Sequence, residues 1–213
     1  METDGTSLSW AELDWTAARM HFRKVDPILD GVVSGLANPI RAERQPAFES
    51  LCRAIVGQQL SVKAAATIWK RLKAFHGGTL TPQTILLSRL EDHRNVGVSG
   101  QKHSYLISLA AQNLDFPDDF NCVRGKSDDE IISRWTQVKG LGKWTVQMHL
   151  IFQLDRPDVF PVDDLGIRRA MEHHFGIPRD SPKSVYEKRA LVWSPFRTAA
   201  CRFLWMSLNN QPK

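Results

Sequence analysis

Apolar residues recur along this 213-residue chain at three- and four-residue spacing, and no stretch alternates strictly. That pattern predicts helices throughout and no strand, so the expected fold class is all-α. Ser9 and Glu12 form a capping-box pattern opening a helix with Trp10, Leu13, Ala17 and Met20 on one face. Asp26-Pro27 starts the next helix, with Asp as cap and Pro in the first turn. Residues 38–45 read as a polar connector. From Pro46 a helix runs through Phe48, Leu51, Ile55 and Val56 to Gly57. Gln58-Gln59-Leu60 makes a tight loop, and Ser61 caps a helix over Val62–Phe75. Gly77-Gly78 breaks the chain, Thr81-Pro82 restarts a short helix, and Ser99 opens one carrying Lys102, Tyr105, Leu106, Leu109 and Ala110. Residues 117–125 read as a second polar connector. Ser127 with Glu130 is another capping box. Helices follow over Leu165–Phe175, from Pro182 towards Leu191, and over Phe196–Leu208, with breaks at Gly176 and at Trp193-Ser194-Pro195.

The stretch Ile131 to Arg169 holds the chemistry. Its first helix ends in Val138-Lys139-Gly140-Leu141-Gly142, and a second begins at once with Lys143, Trp144 and Thr145. A glycine turn that opens a helix aligns free N–H groups at the positive end of the helix dipole, which suits an anion. Lys139 and Lys143 flank the turn and Thr145 adds a hydroxyl, so Gly140, Gly142, Lys143 and Thr145 are candidate contacts to a nucleic-acid phosphate. A plain interhelical corner explains the two glycines equally well. Further on, Asp163-Asp164 follows Phe160-Pro161-Val162 and leads into the third helix. Two adjacent carboxylates suit charge stabilisation or water activation, or the capping of a helix start. No Glu or His stands near them at metal-ligand spacing.

Composition narrows the classes. The net charge is +5 and the isoelectric point near 9.3, a modest basic excess that suits a polyanion. Cys52, Cys122 and Cys201 are odd in number and form no CxxC, which argues against zinc, an iron–sulfur cluster or a disulfide framework. There is no apolar run of membrane-spanning length and no signal-peptide pattern, so a soluble, intracellular protein of cytoplasm, nucleoid or nucleus is expected.

Four patches in order resemble the helix-hairpin-helix, endonuclease III-like superfamily of DNA glycosylases, in particular its 3-methyladenine DNA glycosylase II branch. They are AIVGQQLSVKAA from Ala54, VKGLGKWT from Val138, FPVDDLGIRR from Phe160 and WSPFRTAACRFLW from Trp193. The resemblance spans roughly residues 25 to 208. It implies one glycosylase domain with two helical lobes and a DNA-binding cleft between them. The central lobe is expected over 47–156 with the hairpin at 127–153, and the second lobe over 1–46 plus 157–213.

What the resemblance implies for individual residues is specific. Asp164 matches the catalytic aspartate, leaving Asp163 as a supporting or helix-capping residue. Trp144 and Trp193 match the tryptophans of the base pocket, with Met148 where a close relative has an aromatic. Gln59 matches the wedge that fills the gap left by an extruded nucleotide, with Leu60 beside it. The backbone carbonyls of Thr136, Val138 and Leu141 match a monovalent-cation site for Na+ or K+ at the hairpin; no cofactor is otherwise required. The lysine of strand-cutting relatives falls at Trp144, and Lys143 next door points about 100° away around the helix, so monofunctional chemistry is expected. Trp10, Trp15, Trp69, Trp135 and Trp205 are assigned to core packing.

The implied activity is hydrolysis of the N-glycosidic bond of alkylated purines in double-stranded DNA, by a monomer. A non-catalytic hairpin module for DNA binding, and a glycosylase for another damaged base, are the competing readings.

Overall fold

The computed structural model describes residues 13–40, 43–123 and 125–209. Among them there is no strand, and no helix is long and apolar enough to cross a membrane. The helices are α1 (Trp15–Val25), α2 (Pro27–Ser34), α3 (Ala47–Gly57), α4 (Val62–Phe75), α5 (Pro82–Leu86), α6 (Leu90–Asn95) and α7 (Gly100–Asp115). They continue with α8 (Pro117–Asn121), α9 (Asp128–Trp135), α10 (Lys143–Phe152), α11 (Leu165–Phe175), α12 (Lys183–Ala190) and α13 (Arg197–Asn209), with a 3-10 turn at Leu191–Trp193.

Polar caps set most of the starts. The hydroxyls of Ser61 and Ser99 accept from Ala64 N and Lys102 N, and Ser127 with Glu130 makes the reciprocal box that opens α9. Two readings are corrected. Ser9, Trp10 and Glu12 lie outside the described residues, and α1 starts at Trp15 under an Asp14 cap, whose carboxylate accepts from Ala17 N at 2.9 Å. The buried face then runs through Ala18 and Phe22, and Met20 is exposed. Residues 117–125 are not all connector: Pro117 sits in the first turn of α8, and Phe120 is buried, stacked on Trp135.

The chain forms two compact units, one from residues 1–42 with 150–213 and one from 43–149. The first is centred on Trp193, which has no exposed surface and packs against Phe160 and Phe175. Its indole N–H donates to Asp26 Oδ2 at 2.6 Å. The same buried carboxylate pairs with Arg189 at 2.5 Å and caps α2 through Leu29 N. A buried carboxylate is tolerable only when paired and hydrogen-bonded in this way.

In the second unit, α7 packs against α3, α5 and α6 over a core of Leu51, Ile55, Leu72, Leu106 and Leu109. Trp135 is fully buried between Phe120 and the edge of His149, and donates to Asp119 O at 2.9 Å. His93 is buried between two other imidazoles, His103 at 2.8 Å and His76 at 3.4 Å. After α9, the buried side chains of Val138 and Leu141 anchor the turn into α10. Gly140 has φ +93°, and a Cβ there would overlap the Tyr105 ring, whereas Gly142 has open space.

The two glycines therefore differ in cost. Gly140→Ala is expected to destabilise by at least about 1–3 kcal/mol, from strained backbone and the Tyr105 overlap. Gly142→Ala should cost less than half as much; equal denaturation midpoints for the two variants would contradict the geometry.

Acid should weaken the second unit. Burial, then the neighbouring His103 and His76, lower the His93 pKa from 6.5 to about 4, and burial alone lowers His149 to about 4. Between pH 6.5 and about 4 the unfolded chain accepts protons that the folded chain refuses. The histidine contribution to stability is then complete above pH 6.5 and lost as pH falls to about 4. Urea midpoints measured across this window should fall, and His93→Gln should flatten the fall. A slope unchanged by both His93→Gln and His149→Gln would assign it to other groups.

Candidate active site

Asp164 stands in extended backbone just before α11 and is the N-cap of that helix. Its Oδ1 accepts two hydrogen bonds, from Ile167 N at 2.9 Å and from Trp205 Nε1 of α13 at 2.9 Å. Gly166 makes room for the second. A Cβ there would lie 3.0 Å from Asp164 Oδ1 and 3.1 Å from Trp205 Cδ1. Trp205 also stacks on Phe152, centroids 5.5 Å apart. Cys201, one turn earlier on α13, feels the site: burial, and next the charge of Asp164, push its thiol pKa up. Among the described residues, no group of three His, Cys, Asp or Glu could hold a metal ion.

Several assignments change. Asp163 is not the helix cap; it is exposed and forms an ion pair with Lys183. Trp193, expected in a base pocket, has no exposed surface: it is packed against Phe160 and Phe175, with its N–H donating to Asp26. Thr145, expected as a phosphate donor, is buried at 8% exposure. Trp205, assigned to plain packing, is hydrogen-bonded to the candidate carboxylate. No local pattern marks it, since the two residues are 41 positions apart in sequence.

The second unit carries the remaining candidates. Trp144, in the first turn of α10, is 44% exposed, and half-buried Met148 lies one helical turn along the same side. Gly142, Lys143 and Lys139 are exposed around the turn. Between α3 and α4, Gln59 is exposed with φ +57°, a left-handed backbone uncommon for a non-glycine residue, and Leu60 is 38% exposed. This loop is tied to the hairpin: Gln58 Nε2 donates to Gly140 O at 2.8 Å. Lys102 Nζ donates to Val56 O at 2.7 Å, at the end of α3, and burial lowers the pKa of that amine. Gln58, Gln59, Leu60, Lys102 and Tyr105 share in lining a cavity of about 260 Å³. Gln58 and Tyr105 were not among the expected site residues. Thr136, Val138 and Leu141 place backbone carbonyls in the turn that ends α9, and Val138 O accepts from Leu141 N at 3.0 Å. Carbonyl oxygens at a helix C-terminus suit a hard monovalent cation, and a carbonyl with one such bond keeps a second lone pair.

Comparison with known proteins identifies the family of the chain. The family described as HhH-GPD superfamily base excision DNA repair protein matches residues 52–195. The chain is 37% identical over 197 residues to DNA-3-methyladenine glycosylase 1 of Schizosaccharomyces pombe, covering 89% of this chain and 86% of the relative. A solved structure of the S. pombe 3-methyladenine DNA glycosylase Mag1 in complex with abasic DNA superposes with TM-score 0.78 at 35% identity, over 89% of this chain and 95% of that one. The DNA-3-methyladenine glycosidase of Bacillus halodurans superposes with TM-score 0.81 at 28% identity, over 93% and 92% of the two chains. With the family match spanning more than half its length, the chain belongs to the HhH-GPD superfamily of base excision DNA repair proteins.

Proposed function

We propose that this protein is a monofunctional DNA glycosylase that releases alkylated purines of the 3-methyladenine and 7-methylguanine type from double-stranded DNA. It works as a monomer, in the compartment that holds the DNA. The observation that carries the proposal is the double hydrogen bond on Asp164 Oδ1, which fixes a carboxylate at a helix start. The relatives named DNA-3-methyladenine glycosylase support the substrate class.

The chemistry follows from the substrate. An enzyme that reaches C1′ must extrude the nucleotide from the stack. Gln59 and Leu60, on a strained and exposed loop, are suited to fill the gap. An N-alkylated purine is cationic and already a good leaving group. Trp144, 44% exposed, is an electron-rich ring of the kind a cationic base prefers, with Met148 beside it. As the C1′–N bond breaks, its electron pair leaves with the base and positive charge builds on the sugar. The carboxylate of Asp164 stabilises that charge and takes the proton of the water that attacks C1′. Around the hairpin, the backbone of Gly140 and Gly142 with Lys143 grips phosphate. The carbonyls of Thr136, Val138 and Leu141 would hold a Na+ or K+ ion, which stiffens the turn. With Trp144 at the position where strand-cutting relatives have lysine, the product is an abasic site in an intact strand.

Incubation with methylated duplex DNA should release free 3-methyladenine or 7-methylguanine without strand scission. Asp164→Asn should slow single-turnover release by on the order of a hundred- to a thousandfold, with binding to an abasic duplex changed only a few fold. Asp163→Asn should cost far less. No release by the wild-type protein from any alkylated duplex, with DNA binding intact, would leave the binding module standing. Trp144→Ala should weaken handling of the flipped base by about 1–3 kcal/mol, more for cationic than for neutral bases. Equal loss on both classes would return Trp144 to a packing role.

A further inference from the structure

We infer that Trp205 is a positioning residue for Asp164, an inference that rests on the glycosylase reading above. A helix-capping aspartate needs only the N–H of the third helical residue, and Ile167 N supplies it at 2.9 Å. The second donor on the same oxygen, Trp205 Nε1 at 2.9 Å, has no capping purpose. Two N–H groups converging on Oδ1 from different elements fix the rotation of the carboxyl group, and so the direction in which Oδ2 points.

The indole is itself held. Phe152 stacks on it, rings 28° apart, and the guanidinium of Arg202 lies 5.6 Å from the Phe152 centroid. Arg202 is anchored by its own bond to Ile40 O at 2.6 Å and lies over Trp15 at 5.1 Å. On the other side the indole comes close to α11: a Cβ at position 166 would meet its Cδ1 at 3.1 Å, so the ring or the carboxylate would have to give way by a few tenths of an ångström. Gly166 and Trp205 are therefore one device, a gap and the donor that fills it.

The test is single-turnover base release by wild type, Trp205→Phe and Gly166→Ala, each with and without Asp164→Asn. Trp205→Phe keeps a ring on Phe152 and removes only the donor. Release should slow roughly ten- to a hundredfold, as for a lost hydrogen bond to a charged group. Affinity for an abasic duplex should stay within a few fold. Gly166→Ala presses on the indole and the carboxylate without removing either, and should slow release by a smaller factor even if Trp205→Phe folds poorly. In an Asp164→Asn background, Trp205→Phe should add little further loss, because the group it positions is gone. A lower melting temperature with an unchanged release rate, or an equal further loss from Trp205→Phe in the Asp164→Asn background, would make Trp205 a packing residue and overturn the inference, provided wild type is active and Asp164→Asn slow. If wild type releases no base, or Asp164→Asn matches it, the glycosylase reading or its carboxylate has failed instead.

Discussion

One carboxylate oxygen, Oδ1 of Asp164, accepts from a main-chain N–H of α11 and a side-chain N–H of α13, and the geometry of the site follows from that pair of bonds. The first starts a helix and the second joins two helices that share a core. Because each donor sits in a packed element, the carboxylate needs little reorganisation when charge develops nearby, the condition under which electrostatic stabilisation is most effective. Gly166 belongs to the same constraint, since any side chain there meets both partners.

A second constraint of the same kind operates around the hairpin. Gly140 is compelled by its positive φ and by the Tyr105 ring where its Cβ would be. Its carbonyl is then available to Gln58, so the turn proposed to bind phosphate and the loop that carries Gln59 are joined by one bond of 2.8 Å. Gln101 Nε2 donates to the Tyr105 hydroxyl at 2.6 Å, and Lys102 closes the end of α3 through Val56 O. A probe that separates bases works only if its mounting does not yield. These bonds give the loop a stiff mounting within its own unit.

Much of this was legible in the sequence because helix punctuation is local. Asp26, Ser61, Ser99 and Ser127 announced their helices, and the glycine turn and the paired aspartates stood in the expected order. What failed was the direction of side chains. Trp193 and Trp205 flank one motif; the first turned out to serve the core through Asp26 and the second to touch Asp164. Motif position carries no information on which way an indole N–H points when its partner lies 167 or 41 residues away. Thr145 failed for a similar reason, since it stands in the first turn of α10 but faces inward.

The aspartates of the first unit also show why neutral donors suit Asp164. Asp158 is clamped by the Arg197 guanidinium at 2.8 and 2.9 Å, Asp26 is paired with Arg189, and Asp163 with Lys183. A cationic partner fixes a carboxylate and cancels its field at the same time, which serves folding and defeats catalysis. The two donors on Asp164 Oδ1 are a peptide N–H and an indole N–H, neither of which carries net charge. They fix the carboxylate's orientation without themselves neutralising its charge. Replacing the indole by a cation of similar reach would therefore hold Asp164 as firmly and still slow the reaction, because at a few ångströms a fixed positive charge opposes the developing one as strongly as the carboxylate favours it.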